Sequence, residues 1–283
     1  MSAPQIFDRA ARRLRRDRYA GQQSFLQDLV AERLLDRLDA VTRPFRTVRL
    51  IGANPALHTA LLGRGLEVVV EDCSSTRAAL LGGVQAEEDG RDLGLARYDL
   101  ILAAGTLGTV DDLPCALVLI CRALTPDGLF LGLLPGAPSL PALRQAVMSA
   151  DAEAGLAVQR FHPLIDARSA GDLLVRAGFT LPVADAETVA LAYRAFDTLL
   201  ADLRHAGATN VLRERRSFER ASRQRLAAAF AAQARDGRVR ETLTLVTLTG
   251  WAPDPSQPQP AKRGSGQSSL AAVLTPPDSG AVG

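Results

Sequence analysis

Apolar and polar positions along the chain are most informative between Tyr98 and Gly132. An apolar run over 99–104 predicts a strand buried on both faces of a parallel sheet. Two aspartates and Pro114 begin a segment, 111–124, whose apolar residues recur at helical spacing. The turn at Pro126-Asp127-Gly128 then leads into a second buried run, 129–134. The pattern predicts a strand, a crossover helix and a parallel strand at the centre of an α/β sheet.

The same alternation precedes this unit. Short apolar runs predict strands at 48–52, 67–72 and 84–88. Between them, Asn54 followed by Pro55 predicts the start of a helix that continues to Leu62, and another helix is expected at 76–81. Strands that alternate with helices in this way indicate a doubly wound fold.

Beyond the fifth predicted strand, strands and helices no longer alternate regularly. A further strand is expected at 179–188, and helices are expected at 140–154, 169–176, 196–205 and 217–234. Threonine alternates with leucine and valine over 242–249, which predicts a half-exposed antiparallel strand. We therefore predict an α/β fold with a doubly wound, mostly parallel sheet of seven strands whose last strand is antiparallel.

Three regions are expected along the chain. Residues 1–45 form an N-terminal helical extension, 46–251 the main domain, and 252–283 a flexible tail rich in Pro, Ser and Gly. The extension carries six arginines between Arg9 and Arg18. Phe7, Ala10 and Leu14 form an apolar stripe on it, so this helix is expected to dock on the domain or on a partner; the alternative is a solvated basic face.

Composition narrows the range of possible functions. The 283 residues carry a net charge of +2, which argues against a dedicated nucleic-acid binder, and the 33 basic residues include a single lysine, Lys262. The three cysteines have no metal-binding spacing, are expected to be core thiols, and fit a reducing compartment. No stretch has the roughly 20 apolar residues of a membrane-spanning helix. We expect a cytoplasmic bacterial protein, with peripheral association with the inner membrane as an alternative.

The spacing of a glycine turn and an acid points to a ligand. The first predicted strand ends at Gly52 and the second at Asp72, about 20 residues on, a separation at which a carboxylate reaches the hydroxyls of an adenosine ribose. Glu87 lies where the third predicted strand ends and could accept a hydrogen bond from an adenine amino group. The structural alternative is that these acids are only helix caps or solvated charges.

A family resemblance rests on several motifs. The element order together with YDLIL and LTPDGLFLG resembles the class I S-adenosylmethionine-dependent methyltransferases. DDLPCAL, SLPALRQAV, LLVRAGFTLP, YRAFDTLLADLRHAGATN and PAKRGSGQSSL resemble, within that class, the methyltransferase-like assembly factors of respiratory complex I, which include an arginine hydroxylase, and more distantly the malonyl-carrier-protein methyltransferases. The resemblance covers nearly the whole chain.

The resemblance implies S-adenosylmethionine as cofactor. Its cofactor-binding residues fall on Gly52, Asn54, Asp72, Glu87 and, after the fourth strand, Ala104. The family's glycine loop is degenerate here, because its leading acid falls on Leu50 and its second and third glycines fall on Asn54 and Ala56.

On the substrate side the resemblance implies Tyr193, Asn210 and Arg215. Methyl transfer needs mainly in-line positioning, so the sequence names no catalytic base, and we predict no metal site because the three histidines are scattered. The structural alternative for Asn210 and Arg215 is a helix cap and a solvated charge.

Three functions remain open at this stage. The chain is expected to be an S-adenosylmethionine-dependent methyltransferase that modifies a protein side chain or acts in complex I assembly, with a complex I subunit as its partner. The alternative is a non-catalytic assembly factor that keeps the fold; a nicotinamide-dependent oxidoreductase fits the pattern least well. Whether the pocket beside Gly52 and Asp72 is open or filled separates the first two.

Overall fold

A seven-stranded sheet forms the centre of the protein. The computed structural model describes residues 4–22, 24–90 and 94–258. In chain order its strands are β1 (Thr47–Ile51), β2 (Glu67–Asp72), β3 (Val84–Gln85), β4 (Tyr98–Ala104), β5 (Leu124–Gly136), β6 (Thr180–Tyr193) and β7 (Val239–Trp251). Their spatial order is β3-β2-β1-β4-β5-β7-β6. The first five strands are parallel, and β7 runs antiparallel to both β5 and β6.

The strand order reverses between β1 and β4. From β1 the chain adds β2 and β3 on one side and then returns to add β4 and β5 on the other. Val48 pairs with Leu100, and Leu50 pairs with Leu102, across this boundary. In open α/β sheets ligands bind beyond the carboxyl ends of the strands at such a switch point. The predicted doubly wound fold with an antiparallel last strand is confirmed.

Helices cover both faces of the sheet. Those in the described residues are α1 (Arg9–Arg18), α2 (Phe25–Asp39), α3 (Pro55–Gly63), α4 (Ser75–Leu80), α5 (Leu113–Ala123), α6 (Pro141–Glu153), α7 (Ala167–Ala177), α8 (Phe196–His205) and α9 (Arg220–Ala231). Asn54 caps α3, with its side-chain oxygen accepting from the backbone N–H of Leu57 at 3.0 Å, and Pro55 occupies the first turn as predicted.

Among the described residues, three large apolar clusters and a small one of Phe7, Val211 and Leu212 make the core. One face of β4 and β5 packs with α5 and α7 around Phe130 and Leu117, and the opposite face packs with α2 and α3 around Leu34 and Leu50. A third cluster joins α6, α8 and α9 around Phe230. This third cluster lies outside the central layers and forms one wall of the cavity described below.

Strand β7 corrects the prediction of a half-exposed last strand. It extends over Val239–Trp251 and is hydrogen-bonded on both edges, to β5 and to β6, and most of its side chains are buried, including Thr244 and Thr247. An alternation of threonine with apolar residues is typical of a strand that has one exposed face. In β7 these threonine side chains are covered, because helices lie over both faces of the sheet.

Several bounds also differ from prediction. Strand β3 is only two residues long, so Glu87 lies beyond it, and β6 continues to Tyr193 through its pairing with β7. Of the three thiols, Cys73 and Cys121 are buried, whereas Cys115 is only half-buried. Cys115 lies in the first turn of α5, where side chains are less covered than in the helix interior.

Residues 254–258 belong to a separate unit from the main domain. They form a turn in which the Asp254 carboxylate accepts from the backbone N–H of Ser256 at 2.8 Å. Most of the predicted flexible tail and its PAKRGSGQSSL motif lie outside the described residues. Within the described part of the chain, no helix combines the length and apolarity needed to cross a bilayer.

Candidate functional site

The predicted ligand site lies where β1, β2 and β4 end. Gly52 follows β1 with φ +88°, a conformation that favours glycine, and its N–H donates to the carbonyl of Glu71 at 2.7 Å. A Cβ atom at this position would lie 2.7 Å from Cγ2 of Thr106, in the segment after β4. The glycine therefore leaves room for another group beside the backbone, and the Thr106 side chain occupies that room.

Asp72 ends β2 and is completely enclosed. One carboxylate oxygen accepts from the backbone N–H of Ser74 at 2.8 Å, and the other accepts from the backbone N–H of Ala53 at 2.8 Å. Arg16 from α1 donates to both oxygens, through Nε at 2.9 Å and Nη2 at 2.5 Å. A carboxylate offers about four acceptor positions, and all four are used here.

The charges of this pair are fixed by their surroundings. Burial alone would raise the pKa of the Asp72 carboxyl, but the Arg16 guanidinium and the two backbone N–H groups outweigh burial and lower that pKa. The Arg16 side chain is only 8% exposed and that of Asp72 is 0% exposed. Both groups are ionised at neutral pH, as a buried bidentate pair requires.

Arg12, one helical turn before Arg16, closes the neighbouring position. It donates to both oxygens of Glu88 at 2.6 and 2.7 Å, to Glu87 at 3.0 Å and to the carbonyl of Thr106 at 3.1 Å. Its Nε donates to the hydroxyl of Thr109 at 2.9 Å. All five donors of a guanidinium are thus satisfied in a buried location.

Further contacts hold α1 against the sheet edge. Arg9 pairs with Asp89 at 2.8 Å and Arg13 pairs with Glu87 at 2.8 Å. At the end of α1, the carbonyl of Arg16 accepts from Nε of Arg77 in α4 at 2.9 Å. The predicted docking of this helix on the domain is confirmed, through four arginines that lie opposite the acids after β2 and β3.

The docked face of α1 is not the predicted apolar stripe. Phe7 is buried, but Ala10 is exposed and Leu14 is 57% exposed. The helix instead buries Arg12 and Arg16, which are spaced i and i+4 on one face. A carboxylate-rich edge can accept a guanidinium face, so the buried side of this helix is its charged side.

The arrangement around Asp72 does not fit an adenosyl group in this conformation. Arg16 uses the oxygens of Asp72 that a ribose hydroxyl would need, and Arg12 lies beside Glu87 and Glu88, where the adenine acid was predicted. The Asn54 side chain donates to the carbonyl of Gln27 at 2.8 Å besides capping α3. The predicted cofactor residues are close together, but their polar atoms are engaged within the protein.

A large cavity lies beside this closed site. It has a volume of about 910 Å³ and reaches Ala104, Gly105 and Thr106 at the end of β4, while Gly52, Asn54, Asp72 and Glu87 do not line it. Its walls come from α1, α2, α6, α8 and α9, and Leu133 and Leu245 of the sheet form part of its floor. Of the predicted cofactor residues, Ala104 alone lines this space.

Two of the predicted substrate residues line the cavity. Asn210 and Arg215 do so; the Asn210 side chain accepts from the N–H of Leu212 at 2.9 Å, and Arg215 pairs with Asp8 at 2.7 Å. Tyr193 does not line it. Its side chain is buried among α6, α8 and α9, and burial together with a hydrogen bond to Asp202 raises its pKa.

His162 also lines the cavity and is neutral. Its Nε2 accepts from the backbone N–H of Val211 at 2.9 Å, and burial together with the nearby charge of Arg15 lowers its pKa to about 4. Its ring packs edge-on against Phe7. Within the described ranges, no three His, Cys, Asp or Glu side chains converge as a metal ion would require.

The strand order, the reversal between β1 and β4, and acids at the ends of β2 and β3 define a protein of the class I S-adenosylmethionine-dependent methyltransferase fold. Malonyl-acyl-carrier-protein O-methyltransferase from Methylovorus sp. (strain MP688) is 30% identical over 272 residues, which are 88% of this chain and 90% of that protein. The chain therefore belongs to the methyltransferase family that includes these enzymes.

Other relatives come from animals. Arginine-hydroxylase NDUFAF5, mitochondrial, is 28% identical over 284 residues in Danio rerio, covering 94% of this chain and 88% of that protein. The Homo sapiens protein of the same name is 28% identical over 279 residues, covering 92% and 81%. No protein-family model matches the chain.

Solved structures agree on the fold. The YcgJ protein of Bacillus subtilis superposes with a TM-score of 0.53 at 14% identity, covering 79% of this chain and 99% of that one. The BH2331 protein of Bacillus halodurans gives a TM-score of 0.54 at 13% identity, covering 79% and 100%.

Sequence reasoning missed Arg12 and Arg16 as residues of the site. Arginines at 9, 12, 13 and 16 lie on one helical face, and acids at 72, 87, 88 and 89 lie at predicted strand ends. The sequence shows both the arginines and the acids, but no local pattern predicts that the two sets form ion pairs with each other.

Proposed function

We propose that this protein is a methyltransferase-family assembly factor that acts by binding, with its own helix α1 held in the adenosyl site. The observation that carries the proposal is the Asp72 carboxylate, whose four acceptor positions are all used by Arg16, Ala53 and Ser74. Removing a buried arginine from a buried carboxylate costs about 3–5 kcal/mol. A ligand that takes these acceptor positions has to offset that cost.

The likeness to the NDUFAF5 proteins supports the assembly role. The proposed partner is a subunit of respiratory complex I, met in the bacterial cytoplasm at the inner membrane. Binding rather than chemistry explains why the degenerate loop at Leu50, Asn54 and Ala56 is tolerated, because none of these positions has to hold the methionine part of a cofactor.

Calorimetric titration with S-adenosylmethionine tests the cofactor part. We expect the wild-type chain to bind with a dissociation constant weaker than about 1 mM, a binding free energy of less than about 4 kcal/mol. S-adenosylhomocysteine should behave in the same way. Wild-type binding in the micromolar range would overturn the proposal.

Affinity capture from native membranes tests the assembly part. A tagged chain should retain complex I subunits, identified by mass spectrometry, and saturating S-adenosylhomocysteine should leave the amount unchanged. Retention of no complex I subunit, or its loss with the added ligand, would contradict this part.

Methyl transfer with α1 displaced is the second candidate function. It is favoured by Asp72 and Glu87, which occupy the family's ribose and adenine positions, and by the cavity that begins at Ala104 where an acceptor would lie. In that case Gly52, Asn54, Asp72, Glu87 and Ala104 would contact S-adenosylmethionine once the helix leaves. The cofactor would supply the methyl group, and these residues would only hold it.

The variant Arg16→Ala separates the two candidates. It frees the acceptors of Asp72 without changing the loop. Arg13→Ala is the matched control, because Arg13 lies on the same helix, is 43% exposed and pairs with Glu87 rather than Asp72. The assembly-factor proposal expects no cofactor binding by either variant, because the degenerate loop at Leu50, Asn54 and Ala56 remains unchanged in both. Binding that appears with Arg16→Ala alone would establish a gated cofactor site instead.

A further inference from the structure

The cavity beside the closed site is apolar at depth. The buried part of its lining consists largely of aliphatic side chains from α6, α8, α9 and the sheet: Leu133, Leu143, Val147, Leu199, Leu226 and Leu245. Its volume of about 910 Å³ lies at the upper end of the roughly 300–1,000 Å³ found for small-molecule sites. This interior suits an extended hydrocarbon group.

The lining that faces solvent is strongly basic. Arg18, Arg213, Arg216 and Arg223 are exposed and Arg204 is half-buried, so the arginines lie toward the opening while the leucines lie inside. In the part of the chain that the structure describes, the guanidinium groups of Arg18, Arg204 and Arg216 have no hydrogen-bond or ion-pair partner. Free cations at the mouth of an apolar space attract an anionic group.

Few opposing charges offset this rim, where Arg223 forms a solvent-exposed ion pair with Asp197 at 2.8 Å. Among the described lining residues Asp8 is the one acid, and its carboxylate already accepts from Arg215 at 2.7 Å and from the N–H of Ala11 at 3.0 Å. The arginines also repel one another: burial first, and then the charges of Arg215 and Arg18, lower the pKa of Arg15. An anion at the mouth would relieve this repulsion.

We propose that the cavity binds a single-chain amphipathic anion, with a carboxylate or phosphate head group at the arginine rim and its apolar chain among the leucines. The same rim disfavours a guanidinium or other cationic group. The proposed ligand does not use Asp72 or the glycine turn, so this proposal does not depend on the proposed function. It describes the conformation in which α1 is docked and Arg15 and Arg18 line the cavity.

Calorimetric titration with matched twelve-carbon amphiphiles, each below its micelle-forming concentration, tests this proposal. Dodecanoate and dodecyl phosphate should bind, whereas dodecyltrimethylammonium and dodecyl maltoside should bind at least about tenfold more weakly. Octanoate should bind at least about tenfold more weakly than dodecanoate, since each buried methylene contributes roughly fourfold in affinity.

Charge-reversal variants locate the site. The double variant Arg204→Glu, Arg216→Glu should weaken dodecanoate binding by at least about tenfold. Arg168→Glu, a change at a residue on α7 that does not line the cavity, should leave it unchanged. Both double-variant positions lie at the rim rather than in the core, and circular dichroism verifies that the fold is retained.

Three results would overturn the proposal. The cationic amphiphile could bind as tightly as dodecanoate, the charge reversals could leave binding unchanged, or the chain could bind anionic phospholipid vesicles but no single-chain anion. The last result would mean that the arginines contact a membrane surface and that the cavity has no resident ligand.

Discussion

At the scale of single residues, the arginine side chain explains most of this site. Lysine could not replace Arg12 or Arg16, because only the planar guanidinium offers paired donors to both oxygens of a carboxylate. The chain uses arginine for all but one of its 33 basic residues. At two positions, Arg12 and Arg16, this preference supplies geometry on which the fold depends.

Replacing Arg16 should destabilise the fold strongly. Arg16→Met leaves the enclosed Asp72 carboxylate without its counter-charge, and we expect the free energy of unfolding to fall by about 3–5 kcal/mol. Arg13→Met should cost less than about 1 kcal/mol, because Arg13 is 43% exposed and Glu87 keeps Arg12 as its ion-pair partner. Urea denaturation at neutral pH measures both. Equal losses for the two variants would show that the Arg16 pair is not the buried anchor described here.

His162 should make stability depend on pH. Its folded pKa of about 4 lies below the ordinary value of 6.5, so the unfolded chain takes up a proton first as the pH falls. The stabilisation that comes from holding His162 neutral is complete above pH 6.5 and is lost as the pH falls from 6.5 to about 4. We expect a loss of about 2 kcal/mol across this window after allowance for partial solvent contact.

The variant His162→Gln provides the control for this pH effect. Glutamine can still accept from the backbone N–H of Val211 but does not titrate. Denaturation curves at several pH values should show a shallower decline for the variant than for wild type. Parallel curves would mean that His162 does not titrate in this range.

At the scale of elements, long-range capping decides where α6 begins. Its N-cap residue, Leu140, has φ +53° and no side-chain cap, while Glu241 of β7 accepts from the backbone N–H groups of Leu143 at 2.7 Å and Ala142 at 3.2 Å. The carboxylate lies at the positive end of the helix dipole. Helix α6, a wall of the cavity, is thereby fixed to the sheet.

Loss of this cap should be costly. Glu241→Ala leaves two buried N–H groups unsatisfied, so the free energy of unfolding should fall by about 2–3 kcal/mol. Glu241→Gln keeps an acceptor and should cost roughly 1 kcal/mol. Glu187→Ala on neighbouring β6 is the control, since that side chain is 45% exposed, and should change little. Chemical denaturation measures the free energy of unfolding of each variant. Equal losses for Glu241→Ala and Glu187→Ala would show that the Glu241 cap does not stabilise the fold.

At the scale of the whole molecule, the closed position of α1 should govern proteolysis. Trypsin cleaves after arginine where the backbone can open locally. Arg12 and Arg16 are buried in a docked helix, whereas Arg213 and Arg216 are exposed in a segment without helix or strand. Among the described residues, we expect the first cuts at 213–216 and slow cuts in α1.

A double variant, Arg12→Gln with Arg16→Gln, should reverse this order. With the two buried pairs broken, α1 should detach, and cleavage at Arg9 and Arg13 should become as fast as cleavage at 213–216. Mass spectrometry of a short digestion series shows the sequence of cuts. Early cleavage of α1 in the wild type would mean that the helix is not held over the site.

Local signals were enough to predict the doubly wound sheet, because continuous apolar runs, helical spacing and caps such as Asn54 depend on neighbouring residues, and tertiary packing reinforced them. The sequence also placed Gly52 and Asp72 at adjoining strand ends, since parallel strands bring their carboxyl ends to one edge. The partners of Asp72 and the covering of β7 on both faces could be known only from the assembled fold. Both depend on contacts between distant segments, and the free energy of burying a charge is set by the partner that the fold brings to it.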